Sequence, residues 1–440
     1  MNIKLSSLLL IAVVNMFSYP LFAQKSNYSA LITKNADKIA PKVMDWRHDI
    51  HQHPELGNRE FRTAELVAKH LQSLGIEVKT QVGVTGVVGI LKGGKPGPVI
   101  ALRADMDALP VEEINDLPYA SKVKTVYNGK ETYVMHACGH DAHVAILMGV
   151  AEMLANMKKD LKGTVKFIFQ PAEEGPPEGE AGGAELMVKE GVLENPKVDV
   201  IFGLHMSSSL EVGKISYRAG GHMASAADFK ITVKGKPSHG ASPWTSVDPI
   251  FVSAQIITSL QQIVSRNVKI TDNAAVVTIG AINGGNRSNI IPEQVEMLGT
   301  VRALSTDDET YMYARVRQIA EKTAEAAGAT ALVTLPYSVH YPVAFNDIAL
   351  TNSMLPSLQK SAGAENVILA PAMTGAEDFS FYAQKVPGLF FFLGGLPQGQ
   401  DPKTAGPHHT PEFIIDDASL KLGMISFCNL VFDYSEQPKR

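Results

Sequence analysis

Short apolar runs alternate with helical patterns from Ile76 to Met206, and few architectures accommodate that grammar. IEVKTQV, GVVGILKG, PVIALRAD, TVKFIFQ and VDVIFGLHM read as strands, punctuated by Gly and Pro or by helical patterns opening at His143 and Gly182. Runs such as VKFIF and VIFGL lack strict alternation of apolar and polar residues, so both of their faces must be covered. The pattern predicts an α/β fold with a central, mostly parallel sheet between helices. In such sheets, sites form at the carboxyl ends of the strands.

From about Ala224 the pattern changes. ADFKITVKG, a helix over DPIFVSAQIITSLQQIV, AAVVTIGAI, EQVEMLGTVRAL, a helix over DDETYMYARVRQIAEKTAEAAG and ATALVTLPY follow one another. That β-α-β-β-α-β order predicts a ferredoxin-like unit over residues 223–338. It is inserted into a first domain made of residues 24–222 and 339–440. A chain of 440 residues is too long for one ordinary core, which agrees with two domains.

Residues 1–23 carry Lys4, an apolar stretch from Leu8 to Phe17 broken by Asn15, Pro20 and then LFA. This pattern predicts a signal peptide cleaved near Ala23 and an exported, periplasmic or secreted protein. The stretch is short for a membrane span. The net charge of -5 gives no support for nucleic acid or an anionic membrane as partner. Two cysteines, Cys138 and Cys428, exclude a disulfide framework, although counting leaves one bridge open.

Chemistry concentrates in YVMHACGHDAHVAIL, where three histidines, a cysteine and an aspartate fall between His136 and His143. A soluble protein rarely places so many ligand atoms in one turn unless they hold a metal. Glu173 and Glu174 follow the strand in FQPAEEG; as neighbours they should point apart, one toward a metal and the other toward a bound water. His205 follows VIFGL, His408 and His409 lie in PHHTPEF, and Asp105 and Asp107 lie in RADMDALP. One of those aspartates could fix the tautomer of a ligand histidine. Singly, each has an ordinary reading as a loop acid, a core histidine or an Asx turn. Their agreement favours a site.

In order along the chain, DMDALP, MHACGHDAH, QPAEEG, LHM, GGNRSNIIP, GTVR, GAEDF and HTPEF resemble the M20 metallopeptidase family. Within it the likeness is to the amidohydrolase branch of hippurate, N-acyl-amino-acid and auxin-conjugate hydrolases. The resemblance implies two divalent metal ions per subunit, Zn, Mn, Co or Ni, on Cys138, His140, Glu174, His205 and His409, with Cys138 bridging. It implies Glu173 as general base, Asp107 behind the ligands, and His239 polarising the scissile carbonyl, often from a partner subunit. Asn289 and Arg302 would grip a substrate carboxylate or backbone, and a homodimer is expected. The substrate class implied is N-acyl amino acids or small peptides.

His136 and His143 are read as neighbours of the ligands. His48, His51 and His53 are read as the end of the first helix, near the site. His409 is preferred to His408 because it directly precedes Thr-Pro. Two rivals remain: Cys138 as the nucleophile of a thiol hydrolase, and a non-catalytic metal-containing binder of acyl amino acids.

Overall fold

Strand by strand, the expected alternation becomes one large sheet. The computed structural model describes residues 28–338 and 340–437, so the expected signal peptide lies outside the described residues. The larger sheet has eight strands in the order Glu77–Val82, Gly86–Lys92, Lys162–Gln170, Lys95–Asp105, Val200–Glu211, Gly388–Leu396, Ile215–Tyr217 and Val367–Leu369. Its central pairings are parallel: Leu102 lies opposite both Phe167 and Phe202, and Phe390 opposite Gly203. Antiparallel pairs flank them on both sides.

Successive side chains of a strand point to opposite faces. Ile100, Leu102, Phe167, Phe202 and Phe391 therefore enter one core, with the helices Ser29–Gln52, His140–Asn156 and Ala418–Ser435. Ala101, Ile168, Ile201, Phe390 and Phe392 enter the opposite core, with Met187, Phe379 and Tyr382. Two buried faces explain the unbroken apolar runs. Cys428 is buried in the first core; it and the buried Cys138 are both free, so no bridge joins them.

The helix expected from His143 begins at His140 instead. Gly139 adopts φ +98° and accepts at its carbonyl from the N–H groups of Ala142 and His143, at 3.0 and 3.1 Å. The first helical turn thus closes directly after the left-handed residue, and the motif histidines become part of it.

The second sheet runs Ala275–Asn283, Gln294–Ala303, Ala226–Lys234 and Thr330–Thr334, with short His340–Tyr341 also paired to Ala226–Ala227. All of its pairings are antiparallel. The helices Pro249–Leu260 and Thr306–Ala326 cover it, capped by Asp248 and Ser305. Phe229, Ile231, Val252, Ile256, Met297 and Val316 form its own core. This is the α/β architecture expected, with a ferredoxin-like strand order in the second sheet. Among the described residues, no helix is long and apolar enough to cross a membrane.

Candidate metal centre

Three parallel strands end beside one another and deliver the chemistry. Lys95–Asp105 ends in Asp105 and leads to Asp107; Lys162–Gln170 leads to Glu173 and Glu174; Val200–Glu211 carries His205. Cys138 and His140 flank Gly139 at the start of the helix His140–Asn156. A Cβ on residue 139 would stand 2.9 Å from the Met206 Cβ, so glycine lets the Cys138–His140 segment close against the His205 strand. His409 adopts φ +65° and donates its backbone N–H to Ala137 O at 2.8 Å, which ties its loop to Cys138. A left-handed non-glycine residue costs free energy and persists where its surroundings overdetermine it.

These side chains converge. Cys138 Sγ lies 3.5 Å from His205 Nε2, 3.3 Å from His409 Nε2 and 3.6 Å from His408 Nδ1. His409 Nε2 is 2.9 Å from Glu174 Oε1, and His140 Nε2 is 3.9 Å from Glu173 Oε2. One ligand atom from each member lies within 4.8 Å of the others in Cys138/His140/His205, Cys138/Glu174/His409 and His140/Glu173/Glu174. Cys138, His140 and Glu174 each belong to two of these groups. Glu173 and Glu174 follow the left-handed Ala172, φ +52°, and each brings a carboxylate oxygen within 4.8 Å of a His140 ring nitrogen.

The histidine tautomers follow from second contacts. His140 donates from Nδ1 to Asp107 O at 2.8 Å, and His205 donates from Nδ1 to Met206 O at 2.6 Å. Each Nε2 lone pair is left facing the cluster. His140 Nε2 is buried without a hydrogen-bond partner among the described residues, whereas Glu174 Oε1 meets His409 Nε2. Buried polar atoms rarely go unpaired, and this one lies among the candidate ligand atoms. The Asp107 carbonyl, not its carboxylate, is the closer group to His140; its Oδ2 accepts from Glu174 N–H at 2.9 Å.

His408 differs from His409. Its Nε2 accepts from Ser208 N–H at 3.3 Å, which leaves an Nδ1–H directed at Cys138 Sγ. His143 has both nitrogens committed: Nδ1 donates to Asp105 Oδ1 at 2.5 Å, and Nε2 accepts from Met206 N–H at 2.8 Å. It thereby ties the helix His140–Asn156 to the strands that carry Asp105 and Met206. His136 is buried with neither nitrogen partnered, and nothing in the structure explains it.

Charge in the pocket is strongly anionic. Burial lowers the His140 pKa, but Asp105, Asp107 and Glu174 outweigh it and push it up to about 10, so the pocket favours positive charge there. Burial, then Glu174, Glu173 and Asp105, hold the Cys138 thiol well above its usual range. Burial, then Glu377, Glu174 and Asp378, raise the Glu173 carboxyl well above the carboxylate range. N, O and S donors crowded so that their protons are held tightly suit a transition-metal cation, which would supply the positive charge in place of those protons.

Behind the cluster, sequence reasoning missed a network around Arg103. This fully buried guanidinium meets Asp105 at 2.6 Å, Asp378 at 2.8 Å and Glu377 at 2.9 Å, and donates from Nε to Gln170 at 2.9 Å. The GAEDF motif was visible, but nothing local connected it to an arginine in an apolar strand.

The second sheet does not gather its expected residues at one point. His239 is exposed on a two-stranded ribbon, paired with Ile290, and Gly240 N–H donates to Asn289 O at 2.8 Å. The ribbon extends beyond the Gln294 end of the strand Gln294–Ala303, whereas Arg302 lies at the other end. Eight residues of strand span about 25 Å. Within one chain, a small substrate at Arg302 cannot also reach His239 and Asn289. A groove of about 990 Å³ between the two covering helices presents Arg315 and Lys322 but no histidine or carboxylate.

His51 lies in a neighbouring buried network with Asp141, at 2.9 Å, and Glu113, at 3.2 Å. Burial lowers its pKa, but these two carboxylates raise it to about 9. An unfolded histidine titrates near 6.5. The folded chain therefore keeps a proton that the unfolded chain releases, a contribution complete below about pH 6.5 and lost as pH rises through about 9. The thermal midpoint is expected to fall between pH 7 and 9, and less steeply in His51→Gln; parallel pH profiles would contradict this.

Residues 101–432 match the model of peptidase family M20/M25/M40. Thermostable carboxypeptidase 2 of Saccharolobus solfataricus is 40% identical over 401 residues, covering 90% of this chain and 97% of that protein. N-acetylcysteine deacetylase of Bacillus subtilis is 38% identical over 399 residues, with coverage of 90% and 97%. The crystal structure of the Bacillus subtilis YXEP protein, described as a dinuclear metal binding peptidase from the M20 family, superposes with a TM-score of 0.74. It is 35% identical, with coverage of 91% of this chain and 99% of that one. With its sheets, its convergent ligand atoms and a family match across most of its length, the chain belongs to peptidase family M20/M25/M40 and is an enzyme of that group of metal-dependent hydrolases.

Proposed function

We propose that this enzyme hydrolyses the amide bond of N-acyl amino acids, using two divalent metal ions held by Cys138, His140, Glu174, His205 and His409. One observation carries the reading: the ligand atoms of Cys138, His140, Glu174, His205 and His409 crowd within 4.8 Å of one another in three overlapping groups, and His140 Nε2 among them is buried without a hydrogen bond. His409 serves in preference to His408, whose Nε2 is already engaged by Ser208. Cys138, which like His140 and Glu174 belongs to two of the ligand groups, would be among the residues that hold the ions. When bound, the metal ions acidify a water and polarise the scissile carbonyl.

The chain's own residues do the rest. Glu173, buried beside His140, takes the proton of the attacking water on its carboxylate and returns it to the leaving nitrogen. The Nδ1–H groups of His140 and His205, bound to backbone carbonyls, keep both rings in the tautomer that presents Nε2. Arg302 and Asn289 hold the carboxylate or backbone of the amino-acid half, for which a forked guanidinium is suited. The names of both relatives, a carboxypeptidase and an N-acetylcysteine deacetylase, imply a leaving nitrogen that belongs to an amino acid with a free carboxylate.

His239 and Asn289 act from a second copy of the chain, a reading supported by their separation from Arg302 along one strand. The protein should therefore sediment as a dimer, and an active monomer would refute this part. Export rests on the sequence of residues 1–23, and N-terminal sequencing of the mature protein checks cleavage near Ala23.

A thiol-hydrolase role for Cys138 fits poorly, because burial and the adjacent glutamates oppose its ionisation without a cation. A pure binder has no need of Glu173 beside the ligands. The test is a hydrolysis screen over N-acetyl, N-benzoyl and long-chain acyl amino acids and dipeptides, with Zn, Mn, Co or Ni supplied. Cleavage of acyl amino acids is expected; cleavage of dipeptides alone would move the substrate assignment to peptides.

A further inference from the structure

The turn bearing Glu173 is tethered at three successive residues. Ala172 N–H donates to Glu60 Oε1 at 2.8 Å, the Tyr341 hydroxyl donates to Glu173 O at 2.9 Å, and Glu174 N–H donates to Asp107 Oδ2 at 2.9 Å. The last two bonds hold the two polar ends of one peptide plane, the one joining Glu173 to Glu174. That plane sets the direction in which each carboxylate leaves the backbone, since a peptide unit is rigid and only its flanking dihedrals turn. Ala172 beside it is left-handed at φ +52°, a conformation alanine keeps only under constraint, so the turn has no strong preference of its own to fall back on.

The tethers come from different parts of the molecule. Glu60 opens the helix Phe61–Ser73, and Asp107 follows the strand Lys95–Asp105, both packed with the larger sheet. Tyr341 lies on His340–Tyr341, which pairs with Ala226–Ala227 at the start of the second sheet's central strand. Arg302 lies one residue beyond Val301, the partner of Ala227, and so stands at this same end of the second sheet.

We propose that Tyr341 is a positioning residue that couples the placement of the second sheet, with Arg302, to the orientation of the Glu173 carboxylate. The inference rests on the reading of Glu173 as the proton carrier. A substrate gripped at Arg302 holds the second sheet in register with the larger one, and the Tyr341 hydroxyl then fixes the peptide plane behind Glu173. Without the hydroxyl, the plane is held only at its N–H end. Glu173 then loses its aim while Glu174, whose own N–H remains bound to Asp107, keeps its place.

Tyr341→Phe removes the hydroxyl and retains the ring, which packs near Phe381. At saturating metal, it is expected to lower kcat about 10- to 100-fold, the range for a small misplacement of a catalytic group. KM, bound metal and thermal midpoint should match the wild type. In a Glu173→Gln background, the same change should leave the residual turnover unaltered, because Tyr341 acts through Glu173. Wild-type kcat in Tyr341→Phe, loss of bound metal, or a further loss of equal factor in the Glu173→Gln background would each overturn the proposal. Full turnover in Glu173→Gln alone would instead overturn the assignment of Glu173, so the two failures are distinguishable.

Discussion

Glu173→Gln is expected to lower kcat by about 10²- to 10⁴-fold, the usual worth of a positioned general acid–base, with KM and bound metal little changed. Glutamine keeps the shape of the side chain but cannot accept the proton of the attacking water. Glu173 is not among the residues proposed to hold metal, so metal content separates loss of the proton carrier from loss of the centre. The thermal midpoint should not fall, because a neutral amide removes the repulsion that Glu377, Glu174 and Asp378 exert on this buried carboxylate. Steady-state kinetics with metal analysis of the same sample checks all of this. Retained turnover would remove Glu173 from the mechanism.

Arg103→Met should be the most destabilising single change near the site, by about 3–5 kcal/mol. Methionine fills much of the volume but leaves Asp105, Glu377 and Asp378 buried without the cation that neutralises them. The penalty comes from carboxylates stranded in a dry interior more than from lost attraction, since a buried pair gains little over an apolar one. Folded proteins are held by about 5–15 kcal/mol, so the loss is a large share of the total. Urea unfolding of both proteins measures it. A difference below about 1 kcal/mol would mean that the three carboxylates take up protons or water at little cost.

Arg103 also marks a boundary of what sequence reveals. As candidates, Cys138, His140, Glu174 and His205 stand out in the sequence because they follow an apolar strand or lie at the start of a helix, whereas His409, in a turn, is singled out only by the resemblance of HTPEF. Their convergence follows from the parallel order of the strands Lys162–Gln170, Lys95–Asp105 and Val200–Glu211. Arg103 reads as an ordinary strand residue until the fold brings Glu377 and Asp378 to it from a distant loop. Tyr341 is hidden for a similar reason: its partner is a backbone carbonyl, which no motif records. The turn that carries Glu173 and Glu174 opens on Ala172, whose left-handed backbone no residue type announces. The helix start moved to His140 because the left-handed Gly139 directly precedes the first turn. Local dihedrals, rather than residue types, decided both.

The central claim is that the convergent ligand atoms hold metal and that turnover depends on it. The most direct measurement is the metal content of purified, active protein, by elemental analysis, before and after chelation, with N-acyl amino acid hydrolysis followed on the same sample. About two divalent transition-metal ions per chain are expected, with loss and recovery of hydrolysis as they are removed and restored. Full activity in protein carrying no stoichiometric metal would contradict the claim.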